Sequence, residues 1–166
     1  MTHLNLSWHD LNELPEELGN LTKLEALIVD KRADGLQPDW EPLTENVLSE
    51  IPDWVTTLPN LKELSLAQNA IRALPESIGN LSNLEVLYLP GNHIYSIPSS
   101  LYKLKNLKRL FLFDNEILDL PRGLSKLMSL DTLCLNHNQL AECAEEICDL
   151  PLLTTLTFTT PQSHLN

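Results

Sequence analysis

The stretch 107-LKRLFLFDNEILDLP-121 places leucines at 107, 110 and 112, an asparagine at 115, and an Ile-x-x-Leu-Pro close at 117–121. Leu110 and Leu112 lie two residues apart, so in an extended segment both point to one face. Arg109, Phe111 and Phe113 then point to the other. If the leucines face a core, two phenylalanines face away from it, and an apolar ring on an outer face needs a reason.

The stretch has copies. The same frame appears as 61-LKELSLAQNAIRALP-75 and 84-LEVLYLPGNHIYSIP-98. The steps Ile51-Pro52, Leu74-Pro75, Ile97-Pro98 and Leu120-Pro121 recur every 23 residues. The shared pattern is L-x-x-L-x-L-x-x-N-x-[IL]-x-x-[IL]-P. It continues as 130-LDTLCLNHNQL-140 and, more faintly, as 153-LTTLTF-158. It begins as 1-MTHLNLSWHDLNELP-15, with His9 at the asparagine position. One unit is longer: Pro15 to Pro52 spans 37 residues, 14 more than the period. That unit opens with 24-LEALIV-29 and closes with 46-NVLSEIP-52, so the insertion falls at residues 30–45.

A fixed period of this length marks a stacked array. The pattern resembles the leucine-rich repeat family, and the match covers nearly the whole chain. Its spacing is similar to that of intracellular scaffold proteins and of effector proteins that bacteria deliver into host cells. The resemblance implies an α/β right-handed solenoid with a parallel sheet on its concave side and short helical or irregular segments on its convex side. The expected organisation is one domain over 1–160, of about seven units, followed by a tail at 161–166.

Elementary physics agrees. No single unit can bury its leucines alone, whereas stacked units share a continuous core. In PEELGNLTKL, PESIGNLSNL and PSSLYKLKNL the apolar residues fall three apart, consistent with one or two helical turns. A proline that opens such a segment suits a first-turn position, where a missing N–H is harmless. Asn69, Asn92, Asn115 and Asn138 are expected to bond backbone groups that the turn off the strand would otherwise leave unpaired.

Composition narrows the function. The formal charge of −12 and pI near 4.7 oppose binding to a nucleic-acid backbone, which needs a basic footprint. No apolar run reaches the roughly 20 residues that span a bilayer, and the amino terminus lacks the pattern of a signal peptide. The three cysteines, Cys134, Cys143 and Cys148, make no paired framework, which points to a reducing compartment. The expectation is a cytoplasmic protein, or one in the host-cell cytosol if it is a delivered bacterial effector.

Chemistry-bearing motifs are scarce. The histidines His3, His9, His93, His137 and His164 have no metal-type spacing, and no phosphate-binding glycine motif is present. Cys134 and His137 lie in one unit without an orienting third group. Cys143 takes the place of a core leucine. The pairs Glu16-Glu17 and Glu145-Glu146 read as solvated convex surface. No cofactor, metal or small-molecule substrate is expected, nor catalysis by this chain.

The frame then locates the outer residues. The third, fifth, seventh and eighth positions of each unit face the concave side. They include Trp8, Ile28, Glu63, Val86, Tyr88, Arg109, Phe111, Phe113, Asp114 and His137. Tyr88 and Phe111 share one register on adjacent strands, with Phe113 two residues further along. Three such rings together match the largest apolar patch usual on a monomer. Lys103, Lys105, Lys108 and Arg109 read as a basic cluster beside them. The function expected is non-catalytic: another protein gripped on the concave face, for scaffolding, regulation or inhibition. Trp40 of the insertion is expected either to join that contact as part of a rim loop or to anchor the loop on its own repeat. An alternative is the substrate-recognition part of a larger enzyme such as a ubiquitin ligase, since neither end shows a polar cap.

Overall fold

Each unit contributes a strand of three residues centred on the leucine at its fourth position. The computed structural model describes residues 1–31, 46–141 and 145–159. The strands are β1 (His3–Asn5), β2 (Ala26–Ile28), β3 (Glu63–Ser65), β4 (Val86–Tyr88), β5 (Arg109–Phe111), β6 (Thr132–Cys134) and β7 (Thr155–Thr157). They pair in chain order as one parallel sheet. Register is fixed by the leucines: Leu4, Leu27, Leu64, Leu87, Leu110, Leu133 and Leu156 stand opposite one another along the sheet. Most of the insertion, with Trp40, and also Cys143 and the tail, lie outside the described residues.

The core runs along the inner face of this sheet. Leu64, Leu87 and Leu89 are fully buried, and Leu110 and Leu112 nearly so. Burying one such side chain contributes about 1.5–3 kcal/mol. The gain fades at the ends, where a unit has only one neighbour. Leu4 and Leu6 are half-buried, and Leu156 is 41% exposed.

After the turn, the chain returns along the convex side through short 3-10 turns, among them Asp53–Thr57, Glu76–Asn80 and Ser99–Lys103. Pro52, Pro75 and Pro98 precede these turns with extended backbone, ψ between 143° and 150°. They therefore cap the turn from outside and do not occupy its first position as expected. The rigid φ of proline still fixes the entry angle.

The asparagines behave as anticipated. Asn92 Oδ1 accepts the Ile71 N–H at 3.0 Å, and its Nδ2 donates to the carbonyls of Leu66 and Leu89. Asn69 and Asn115 do the same for Leu48 and Ile94, and Asn138 for Ile117. In the longer unit Asn46, fully buried, takes the role and serves the His9 and Leu11 N–H groups. A second ladder lies before the strands: Asn60, Asn83 and Asn106 donate to Thr22, Pro59 and Ser82 carbonyls, one repeat back, at 2.7–2.8 Å.

Candidate functional site

The concave floor is built from the alternate residues of the strands and of the turn that follows them. At its centre Tyr88 of β4 and Phe111 of β5 are in direct register. Their ring centroids are 5.1 Å apart at an interplanar angle of 62°. Phe113, two residues beyond Phe111 in the same repeat, also meets Tyr88, with centroids at 6.2 Å and an angle of 80°. Both contacts are edge-to-face, the arrangement that the ring quadrupole favours. All three side chains are half-buried and keep apolar surface toward the concave solvent. Burial pushes the Tyr88 phenol above its ordinary value, with the Asp30 carboxylate adding to the shift, so the hydroxyl stays neutral at physiological pH.

Around this cluster the expected residues divide. Arg109 and Asp114 are exposed beside it, Glu63 is half-exposed across β4, and His137 is exposed in the next unit. Val86 is in register between Glu63 and Arg109, but it is only 8% exposed. Its short side chain lies between two longer ones, so it forms floor, not contact surface, and leaves the candidate set. Trp8 and Ile28 stand apart. With Asn5, Ser7, Asp30 and Lys31 they line a separate hollow of about 450 Å³ at the amino end of the sheet. Ser65 and Ala67, both small and buried, separate the two regions.

The basic cluster expected beside the rings does not form. Lys108 Nζ pairs with Glu85 across the strand gap at 2.6 Å, and Lys62 pairs with Glu25 at 2.9 Å. Lys105 Nζ turns to the Lys126 carbonyl at 3.0 Å. The lysines fall at the second and twenty-second positions of their units, outside the concave alternation, and only Arg109 faces the cluster.

Two features escaped the sequence reading. The eighth position of the unit is left-handed in Trp8, Gln68, Gly91, Asp114 and His137, with φ between 54° and 68°. This turn swings the following asparagine into the core. Gly91 was a visible signal, but its neighbours in the column were not. The second is Asp30, whose Oδ1 accepts both the Ser65 hydroxyl and the Ala67 N–H at 2.7 Å. Burial pushes its carboxyl above the ordinary range, and these two bonds oppose the shift.

Among the described residues, no hydrogen bond links Cys134 with His137, and no group of three or more His, Cys, Asp or Glu is placed to hold a metal. Among the same residues, no helix is long and apolar enough to cross a membrane. Free thiols are present at Cys134 and Cys148.

A family model described as a leucine-rich repeat region matches residues 44–165. No curated protein matches the chain. Among solved structures, a leucine-rich repeat protein of Leptospira interrogans is 32% identical with a TM-score of 0.74, covering 95% of this chain and 44% of that one. The plant peptide hormone receptor RGFR1, solved in complex with RGF2, is 25% identical with a TM-score of 0.75, covering 90% of this chain and 23% of that one. An internalin from Listeria monocytogenes, 21% identical with a TM-score of 0.70 over 89% of this chain and 38% of that one, shares the fold. The chain spans less than half the length of each.

Proposed function

The chain belongs to the leucine-rich repeat family, and from that premise we propose that it is a non-catalytic binding module that holds a partner protein on its concave sheet. The observation that carries this reading is the packed Tyr88–Phe111–Phe113 cluster. It is half-buried and flanked by Arg109, and Tyr and Arg are enriched at the energetic centres of interfaces. Aromatic side chains make up only 5% of the sequence, so three in contact on one face are a concentration. The plant receptor of similar fold, solved in complex with RGF2, supports use of such a solenoid for binding. Holding without chemistry gives scaffolding, or blocks whatever surface the partner presents. The free thiols suit a reducing compartment, and we assign the module to the cytosol, its own or a host's.

The test is the double variant Tyr88→Ala/Phe111→Ala. A partner recovered from the native source with the wild-type protein is titrated into both forms by calorimetry. Truncations at an interface centre cost about 2 kcal/mol or more each, so each alone should weaken binding by at least about 30-fold and the pair by more, with the circular dichroism unchanged. Equal affinity in a folded variant overturns the reading.

A further inference from the structure

In two units, at Asp30 and Ala67, the backbone N–H of the seventh position bonds the seventh side chain of the preceding unit. Toward the amino end these groups are all accounted for. The Ser7 N–H bonds Asn5 Oδ1 at 2.9 Å, the Asp30 N–H bonds Ser7 Oγ at 3.1 Å, and the Ala67 N–H bonds Asp30 Oδ1 at 2.7 Å. Ala67 offers no acceptor to the next unit, and there the residue is Pro90, which has no N–H. The pattern then stops. Phe113 follows Pro90, and Asn136 follows Phe113. Neither a proline ring nor a phenyl ring accepts a conventional hydrogen bond. Among the described residues, neither the Phe113 N–H nor the Asn136 N–H has an acceptor. Phe113 and Asn136 are both half-buried, and their two N–H groups stand in neighbouring repeats beside the aromatic cluster, where an acceptor laid against the rings would meet them.

We propose that these two N–H groups are the polar half of the binding site, and that the occupant is an extended segment of a protein partner. It would lay an apolar side chain on Tyr88, Phe111 and Phe113 and give main-chain carbonyl oxygens to Phe113 and Asn136. A neutral carbonyl fits better than a carboxylate, because the protein carries a formal charge of −12. This inference rests on the reading of the aromatic cluster as the contact surface and names the chemistry of what it takes.

Amide-resolved NMR tests it on the whole protein. In the free protein the Ala67 amide should exchange with solvent slowly, and the Phe113 and Asn136 amides much faster. The probe is N-acetyl-phenylalanine N-methylamide, which carries one aromatic side chain and two amide carbonyls. It should shift the Phe113 and Asn136 amide protons downfield together with the Tyr88 and Phe111 ring signals. Pro90→Asp supplies an internal acceptor to Phe113, as Asp30 does to Ala67, and Asn136→Pro deletes a donor at a position where Pro90 shows that proline is tolerated. Each should weaken probe binding by about 2- to 10-fold, the range for one neutral hydrogen bond. Ring signals that move while both amides stay fixed, or affinity unchanged in whichever variant folds, overturn the inference and leave the aromatic contact standing. Protection of both amides in the free protein as strong as that of Ala67 overturns it as well. A probe that moves neither rings nor amides at its solubility limit overturns both readings.

Discussion

The Glu146 carboxylate of one repeat accepts the backbone N–H of Gly123 in the preceding repeat at 2.7 Å. A weaker contact to the Ser125 N–H follows at 3.4 Å. Gly123 opens the shortest convex turn, Leu124–Lys126, with φ at 108°. A carboxylate at that opening takes up N–H groups that the turn itself leaves unpaired. The Gly123 bond is also the largest cause holding the Glu146 carboxyl below its ordinary value.

This direction sets a pH dependence. A carboxyl with a lowered folded value stabilises the fold above its unfolded pKa, about 4.3, and loses that contribution as the pH falls through the lower folded value. Glu146→Ala should lower the urea midpoint near pH 7, and the difference from wild type should shrink in acid. A difference that persists unchanged at the acid end would show that lost packing, not the charge-assisted bond, is responsible.

Asp30 titrates in the opposite sense. Its folded value is raised by burial, so its contribution is fullest below the unfolded pKa and is lost as pH rises through the folded one. Asp30→Asn retains an Oδ1 acceptor and removes the ionisation. It should hold stability near pH 7 at or above wild type and flatten the profile across the carboxyl range. Asp30→Ala instead leaves the buried Ser65 hydroxyl and the Ala67 N–H without their acceptor, a loss of about 1–3 kcal/mol. Denaturation profiles of the three proteins at several pH values separate these outcomes.

Much of this was legible in the 23-residue period. Strand faces, stacked leucines and the asparagine ladder follow from alternation and repetition, because each is one local decision copied along the chain. What stayed hidden depends on pairs of residues about one repeat apart. Glu146 reads as surface until Gly123 is beside it, and Lys108 reads as a free cation until Glu85 is opposite. The ladder of Asn60, Asn83 and Asn106 did carry a signal, an Asn-Leu step before each of β3, β4 and β5. The aromatic cluster was legible because register and alternation alone place its rings together.

The left-handed column gives a coupled pair. Gln68 holds φ at 55° and Gly91 at 65°, and a Cβ on Gly91 would lie 2.9 Å from Gln68 Cγ. A side chain in this region costs about 1–2 kcal/mol, against about 0.5–1 kcal/mol for the extra unfolded freedom of glycine. Gln68→Gly should therefore stabilise by about 0.5–1 kcal/mol, and Gly91→Ala should destabilise by more than that. In the double variant the flexible Gln68 chain is gone, so Gly91→Ala should cost less there than alone. A strictly additive cycle by urea denaturation would exclude contact between the two sites.

The convex side makes a sharper demand at Gly79. A Cβ there would lie 2.5 Å from the Ser100 carbonyl oxygen and 3.1 Å from its carbon. Those are backbone atoms of the next turn, Ser99–Lys103, and no rotamer change can clear them. The turns Glu76–Asn80 and Ser99–Lys103 must separate, opening the core beneath Ile78 and Leu101, both fully buried. Overpacking of this kind costs about 1–3 kcal/mol. Gly19 is the control: its added Cβ would meet the Trp54 Cβ at 3.3 Å, a tight contact that a shift of a few tenths of an ångström by that side chain relieves, in a unit at the looser amino end. Gly79→Ala should lower the urea midpoint clearly, and Gly19→Ala should change it by less than about 1 kcal/mol. Equal losses at the two positions would mean that the extra methyl acts on the turns themselves and not on their packing between repeats.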